Sequence, residues 1–344
     1  MKYLMIGLGG IGQRHLRNLL TISSQEDEFL AYRVRNEQFV LDNKLQVEKN
    51  RTLNETYHLR IFDDLDKALA ERPDIVFICN PTSLHMETMI KAAKNGCHFF
   101  VEKPISHNLD HLDLLCELIR KNKIITYVGY QQRYNPCIKK AKKIIENKEL
   151  GEILSINAEI GECVRNWHQY EDYRRMYACR KELGGGVVLS QIHELDYLYY
   201  FFGMPVSVYA IGGHISNLEI DVEDVVDILL KYQHNGKTIP VHIHEDYIQN
   251  PASRTCKIVG TRGRIEFDLI NPSLLQYDEY GNCVSREQYE FERNDMFQQE
   301  LYDFVQSVKE KKETAVPLET GIKSLRIADA ILQSIATEQI VYLR

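Results

Sequence analysis

The sequence predicts an α/β chain in two parts. The first is a doubly wound parallel sheet and the second an α+β unit on an open-faced, mostly antiparallel sheet. Three observations carry this. An apolar strand, Lys2-Tyr3-Leu4-Met5-Ile6, runs straight into Gly-x-Gly-x-x-Gly at Gly7, Gly9 and Gly12, and a helical run follows. Short apolar runs then alternate with helical ones to about residue 130, the succession of a parallel sheet covered on both faces. Beyond that point the runs lengthen and alternate apolar with polar residues, as in a sheet with one solvated face. At 344 residues the chain exceeds one ordinary core, so the change of pattern divides it into residues 1–130 and 131–344.

Each position of the opening turn has a physical job. Gly7 permits the tight turn, and Gly9 lets backbone amides, with those of Gly10 and Ile11, approach a pyrophosphate. Gly12 lets the following helix pack close to the strand. That helix offers unpaired N–H groups and partial positive charge to the phosphates. Residues 28–35 read as a second strand, 36–57 as a poorly periodic stretch suited to a small hairpin, and 59–62 as a short strand. Asp64 caps a helix over 65–71. A buried strand over 74–79, a helix over 82–95 stopped by Gly96, and a strand over 97–101 follow. A helix over 109–121 and a strand over 124–129 complete the first part. In the second, a helix over 136–147 leads to the turn at Leu150-Gly151. Strands are expected over 153–162, 206–212, 225–232, 238–247, 256–260 and 264–269. One helix over 185–202 interrupts them, and helices over 295–311 and 320–336 close the chain.

Composition excludes several classes. The chain is 44% hydrophobic and 26% charged with a net charge of −7, and its basic residues form no stripe, so a nucleic-acid partner is not expected. Its apolar runs are too short to span a bilayer. The chain opens on a strand without a secretion-signal pattern, and its eight cysteines form no C-x-x-C pair. Reduced thiols in a cytoplasmic protein are the expectation. His242 and His244 share a strand face but lack a third ligand, so no metal is expected.

Ligands of an open parallel sheet bind beyond the carboxyl ends of its strands. Three such ends carry polar residues: Asn80-Pro81-Thr82, Glu102-Lys103-Pro104, and Gln131-Gln132-Arg133. Lys103, held between an apolar strand and a proline, is the candidate general acid/base, and desolvation would suit it to that duty. Glu102 accepts from a sugar hydroxyl or from Lys103. The second strand ends in Arg33-Val34-Arg35, with no acid before Glu37. An acid there holds the ribose 2′-hydroxyl of NAD, whereas two arginines suit a 2′-phosphate, so NADP is favoured with NAD open. Arg165, Trp167, Tyr173 and Arg174 form a candidate substrate wall, able to stack on sugar faces and bond hydroxyls. Arg165, Arg174 and Arg175 together point to an anionic substituent.

The motifs, in order, are Gly9-Gly10-Ile11-Gly12, Asn80-Pro81-Thr82 with His85, Glu102-Lys103-Pro104, Arg133-Tyr134-Asn135-Pro136, and Gly184-Gly185-Gly186 through His193 and Asp196. Their set resembles the signature of the glucose-fructose oxidoreductase / inositol dehydrogenase (Gfo/Idh/MocA) family over nearly the whole chain. The resemblance implies a Rossmann domain followed by an open-faced sheet, with a sugar, polyol or nucleotide-sugar bound between them. It implies a homodimer or homotetramer assembled through that sheet. It implies Lys103 as the proton-transfer lysine and His193 as the second catalytic group. Many relatives carry an aspartate shortly before this histidine, where Ser190 stands here. That departure leaves open NAD-assisted elimination or glycoside cleavage, or a non-enzymatic dinucleotide sensor.

Overall fold

The computed structural model describes residues 1–34, 39–42, 45–234 and 236–343. The first part comprises β1 (Lys2–Ile6), α1 (Gly10–Ile22), β2 (Glu28–Tyr32), β3 (Phe39–Leu41), β4 (Val47–Thr52), α2 (Leu53–Tyr57), β5 (Arg60–Phe62), α3 (Leu65–Ala70), β6 (Ile75–Ile78), α4 (His85–Lys94), β7 (His98–Val101), α5 (Leu112–Asn122) and β8 (Thr126–Val128). Six strands pair in the order β5-β2-β1-β6-β7-β8, every pair parallel. The order reverses between β1 and β6, which opens a crevice beyond their carboxyl ends. Phe77, Phe100 and Tyr127 stack from strand to strand at 5.3 and 5.4 Å, capped by Phe304. This buried file fixes the level at which the strands end.

The second part begins with α6 (Pro136–Glu146) and β9 (Ile153–Gly161). It continues with α7 (Val187–Ser190), α8 (His193–Phe202), β10 (Ser207–Gly213), β11 (Val225–His234), β12 (Lys237–Asp246), β13 (Ser253–Gly260), β14 (Gly263–Asp268), β15 (Ser273–Asp278), β16 (Cys283–Gln288), α9 (Arg293–Glu310), α10 (Leu318–Thr337) and β17 (Val341–Tyr342). Nine strands form one sheet, β16-β15-β14-β13-β9-β12-β11-β10-β17, antiparallel except where β12 runs alongside β9. Strand β11 alternates buried and exposed residues along its length, so one face of the sheet is open.

Several expectations are redrawn. The second strand stops at Tyr32, while Arg35 and Glu37 lie outside the described residues. The stretch after it does form a hairpin, β3 against β4. Gln13 fastens that hairpin to the glycine loop, accepting from the Leu41 amide at 2.8 Å and donating to the Leu8 and Phe39 carbonyls. The helix expected over 82–95 starts with a single tight turn, Thr82–Leu84. The helix expected over 185–202 is two helices, α7 and α8, broken at Gln191 and Ile192. Strands β15 and β16 were not foreseen; their polar residues hide the period-2 signal.

Candidate active site

The glycine turn follows β1 with Gly7 at φ 86°. A Cβ at Gly7 would lie 2.6 Å from the Cys79 carbonyl oxygen, and one at Gly12 would collide with the Gly7 carbonyl, so helix and strands meet only if both are glycine. Gly9, by contrast, has nothing within 4 Å of its Cβ direction. Helix α1 starts at Gly10 without a side-chain cap, and Ile11 lies in its first turn. A Cβ at Gly10 would lie 2.8 Å from the Tyr170 hydroxyl, so the segment after β9 reaches over the turn.

Beyond β6, Asn80 Nδ2 donates to Thr88 at 3.1 Å, while its buried Oδ1 has no partner among the described residues. His85 places one ring nitrogen 2.8 Å from the Asn80 carbonyl and the other 2.8 Å from that of Pro104. It thereby ties the ends of β6 and β7 together. Pro81 and buried Thr82 complete the first turn; a Cβ at Gly184 would lie 3.0 Å from that of Thr82.

Glu102 does not face a ligand alone. Its Oε1 lies 2.6 Å from Nε2 of fully buried His15, and its Oε2 accepts from the Lys103 amide at 3.2 Å. Sequence reasoning missed His15. The available signal was its spacing from Gly12 and Leu19 on the inward face of α1.

The Lys103 ammonium donates to the Ser190 carbonyl at 2.7 Å. That carbonyl is free because α7 ends there: the Glu194 amide bonds to Gln191 instead. His193, first residue of α8, is 5% exposed. Its Nε2 lies 3.2 Å from the Gln131 amide nitrogen, while Nδ1 has no partner among the described residues. Burial, then the charges of Lys103, Arg254 and Arg293, hold its pKa well below the usual imidazole value. The ring is therefore neutral, with one nitrogen oriented and the other unclaimed.

Arg133 sits where α8 meets the sheet end. Its guanidinium forks onto Asp196 at 2.8 and 2.9 Å and stacks over Tyr200 at 4.6 Å. Ser324 donates to the same carboxylate at 3.2 Å. Behind His193, Arg254 forks onto Glu194 at 2.8 and 2.9 Å, a pair not foreseen because β13 and α8 are distant in sequence.

The expected substrate wall is divided. Trp167 meets Tyr247 edge-on at 5.2 Å, and Tyr247 donates to the Gly186 carbonyl at 2.8 Å, so this part lies against the α7 turn. Arg165 stands over the Tyr173 ring at 5.6 Å. Arg174 is exposed and bound to Asp172 and Glu219. Arg33 follows β2, its amide bonded to Phe62.

The sequence pattern of the oxidoreductase family with an NAD-binding Rossmann fold matches residues 1–130. The pattern of that family's C-terminal alpha/beta domain matches residues 142–343. The chain belongs to the Gfo/Idh/MocA oxidoreductase family. It is 29% identical over 356 residues to myo-inositol 2-dehydrogenase of Thermotoga maritima, covering 100% of this chain and 98% of that one. It is 26% identical over 344 residues to the uncharacterized oxidoreductase YrbE of Bacillus subtilis, covering 96% and 93%. The aldose-aldose oxidoreductase of Caulobacter crescentus shares the fold with a TM-score of 0.81 at 21% identity, covering 100% of this chain and 99% of that one. Family membership makes the protein an oxidoreductase with a nicotinamide-dinucleotide domain. The open Gly9, the uncapped start of α1 and the unpartnered Asn80 oxygen fit that cofactor.

Proposed function

We propose that the protein transfers a hydride between a nicotinamide cofactor and a hydroxyl-bearing carbon of a sugar, polyol or nucleotide-sugar. The observation that carries this reading is the convergence of Lys103 and His193. The Lys103 ammonium bonds the Ser190 carbonyl three residues before His193, whose neutral imidazole keeps Nδ1 without a partner among the described residues, beyond the ends of β7 and β8. The myo-inositol dehydrogenase relative supports the polyol class.

Gly7, Gly9, Gly10, Ile11 and Gly12 would hold the dinucleotide phosphates at α1. Asn80, Pro81 and Thr82 would line its nicotinamide end. The bound cofactor supplies hydride exchange at its nicotinamide ring. Lys103 Nζ takes the hydroxyl proton during oxidation and returns it during reduction. The Ser190 carbonyl and the Glu102 contact to the Lys103 amide fix the direction of approach. His193 Nδ1 bonds the same hydroxyl, while Gln131 holds the ring. Glu102, His85 and Arg133 position these groups from behind. Arg33 with Arg35 would select a 2′-phosphate, and hence NADP over NAD. Ile211 and Leu229, exposed on the open sheet face, support assembly of a dimer or tetramer there.

The test is a screen of polyols, sugars and nucleotide-sugars with both cofactors, following reduced nicotinamide. Net, substrate-dependent turnover supports the reading. Cofactor binding without turnover on any such alcohol contradicts it.

A further inference from the structure

Tyr170 stands over the start of α1. Its hydroxyl is 2.8 Å, and its ring carbon Cζ 3.6 Å, from the place a Cβ on Gly10 would take. Gly10 is the first residue of α1, and the Cβ bonds of a helix lean toward its N-terminus. The hydroxyl therefore lies beside the end of α1 that carries unpaired amides and the positive pole of the helix dipole. Among the described residues, nothing comes within 4 Å of the Cβ direction of Gly9, and no side chain caps the helix.

Tyr170 arrives there from the second part of the chain. After β9, the Val164 amide bonds to the Tyr247 carbonyl at 3.0 Å, and Trp167 meets the Tyr247 ring. Further on, the Tyr173 hydroxyl accepts from the Glu219 amide at 3.3 Å, and Met176, Ala178 and Cys179 are buried. Residues 168–172 cross between these anchors, and on the way Tyr170 meets Phe39 of β3 at 5.8 Å. Gln13 ties β3 to the glycine loop, so the landing point is fixed to the turn itself. His168 stacks on the Tyr170 ring at 5.2 Å. These ring contacts account for an aromatic residue at position 170. They do not account for a hydroxyl set over Gly10.

We propose that Tyr170 is a cofactor-holding residue whose hydroxyl donates to a pyrophosphate oxygen of the dinucleotide. The α1 amides and a phenol from the second part of the chain then hold the same phosphates. A hydroxyl donating to a charged oxygen makes a short, strong bond, and release requires that bond to break. NAD and NADP share the pyrophosphate, so Tyr170 holds both alike and leaves the choice between them to the end of β2. This inference rests on the reading of the glycine turn as a nicotinamide-dinucleotide site, and on no particular substrate.

Cofactor release, measured apart from turnover, tests it. The chain's single tryptophan, Trp167, lies at one anchor of the crossing, and its emission overlaps the absorption of reduced nicotinamide. Protein loaded with NADH, and separately with NADPH, is mixed with excess ADP-ribose, and the loss of energy transfer gives the release rate. Tyr170→Phe keeps the ring and should speed release of both cofactors about tenfold or more, the scale of a hydrogen bond to a charged group. Calorimetric titration with ADP-ribose should show the same loss, and titration with adenosine, which lacks the pyrophosphate, none. Gly10→Ala places its Cβ against the hydroxyl, so it should weaken cofactor binding in the wild type and add little on top of Tyr170→Phe. Unchanged release from Tyr170→Phe, a loss confined to one cofactor, an equal loss for adenosine, or a Gly10→Ala effect as large with Tyr170→Phe as without it would each overturn the proposal. Tyr170-dependent release without hydride transfer on any alcohol would keep this inference and remove the dehydrogenase reading. Hydride transfer with release indifferent to Tyr170→Phe would do the reverse.

Discussion

The Lys103 ammonium lies 2.7 Å from the Ser190 carbonyl because the helix breaks immediately after Ser190. In a continuous helix that oxygen would accept from the Glu194 amide, which turns to Gln191 instead. The break gives Lys103 a neutral acceptor instead of a carboxylate counter-ion. Ser190 thus contributes through its backbone.

The Arg133–Asp196 pair is predicted to be a structural joint. Both side chains are buried, and the carboxylate is 1% exposed. Asp196→Ala would leave a buried guanidinium unpaired and should cost about 3–5 kcal/mol of stability, read as a large fall in the urea midpoint. A change below about 1 kcal/mol would return Arg133 to a ligand-binding role.

The parts of the site legible in the sequence are those fixed by neighbours in the chain. The glycine turn, Asn80, Lys103 and Gln131 each follow an apolar strand directly, and strand ends of a parallel sheet converge. Arg133 was legible as a strand-end residue, yet its partner Asp196 lies on a distant helix. His15 and Arg254 act through contacts between remote elements, which no local period reports. The break at Gln191 was hidden because residues 187–202 are apolar enough to sustain one helix. Polar β15 and β16 lacked the alternation by which the other strands of their sheet declared themselves.

Cofactor choice is predicted to rest on the end of β2. Arg33→Ala should weaken NADPH binding about tenfold or more and leave NADH nearly unchanged, as followed by nicotinamide fluorescence. Equal losses for both cofactors would remove the 2′-phosphate role.

Two histidines should give the folded protein opposite pH dependences. Hydrogen bonds to Asp246 and Asp227 raise His244 from 6.5 to about 9. Its stabilising contribution is therefore complete below pH 6.5 and lost as pH rises through about 9. His193 is held neutral with a value well below 6.5, so the unfolded chain takes up its proton first and stability falls as pH drops below 6.5. Thermal midpoints across this range should show a flatter alkaline limb in His244→Gln and a flatter acid limb in His193→Gln. Unchanged limbs would contradict both assignments.

The central claim is that Lys103 moves the hydroxyl proton while the rest of the chain holds the cofactor. The most direct measurement is single-turnover hydride transfer in wild type and Lys103→Ala, with cofactor affinity determined on the same preparations. The account predicts a loss of transfer of about 10²–10⁴-fold with cofactor binding intact. Equal transfer rates in the two proteins, or wild type that binds cofactor and transfers nothing, would contradict it.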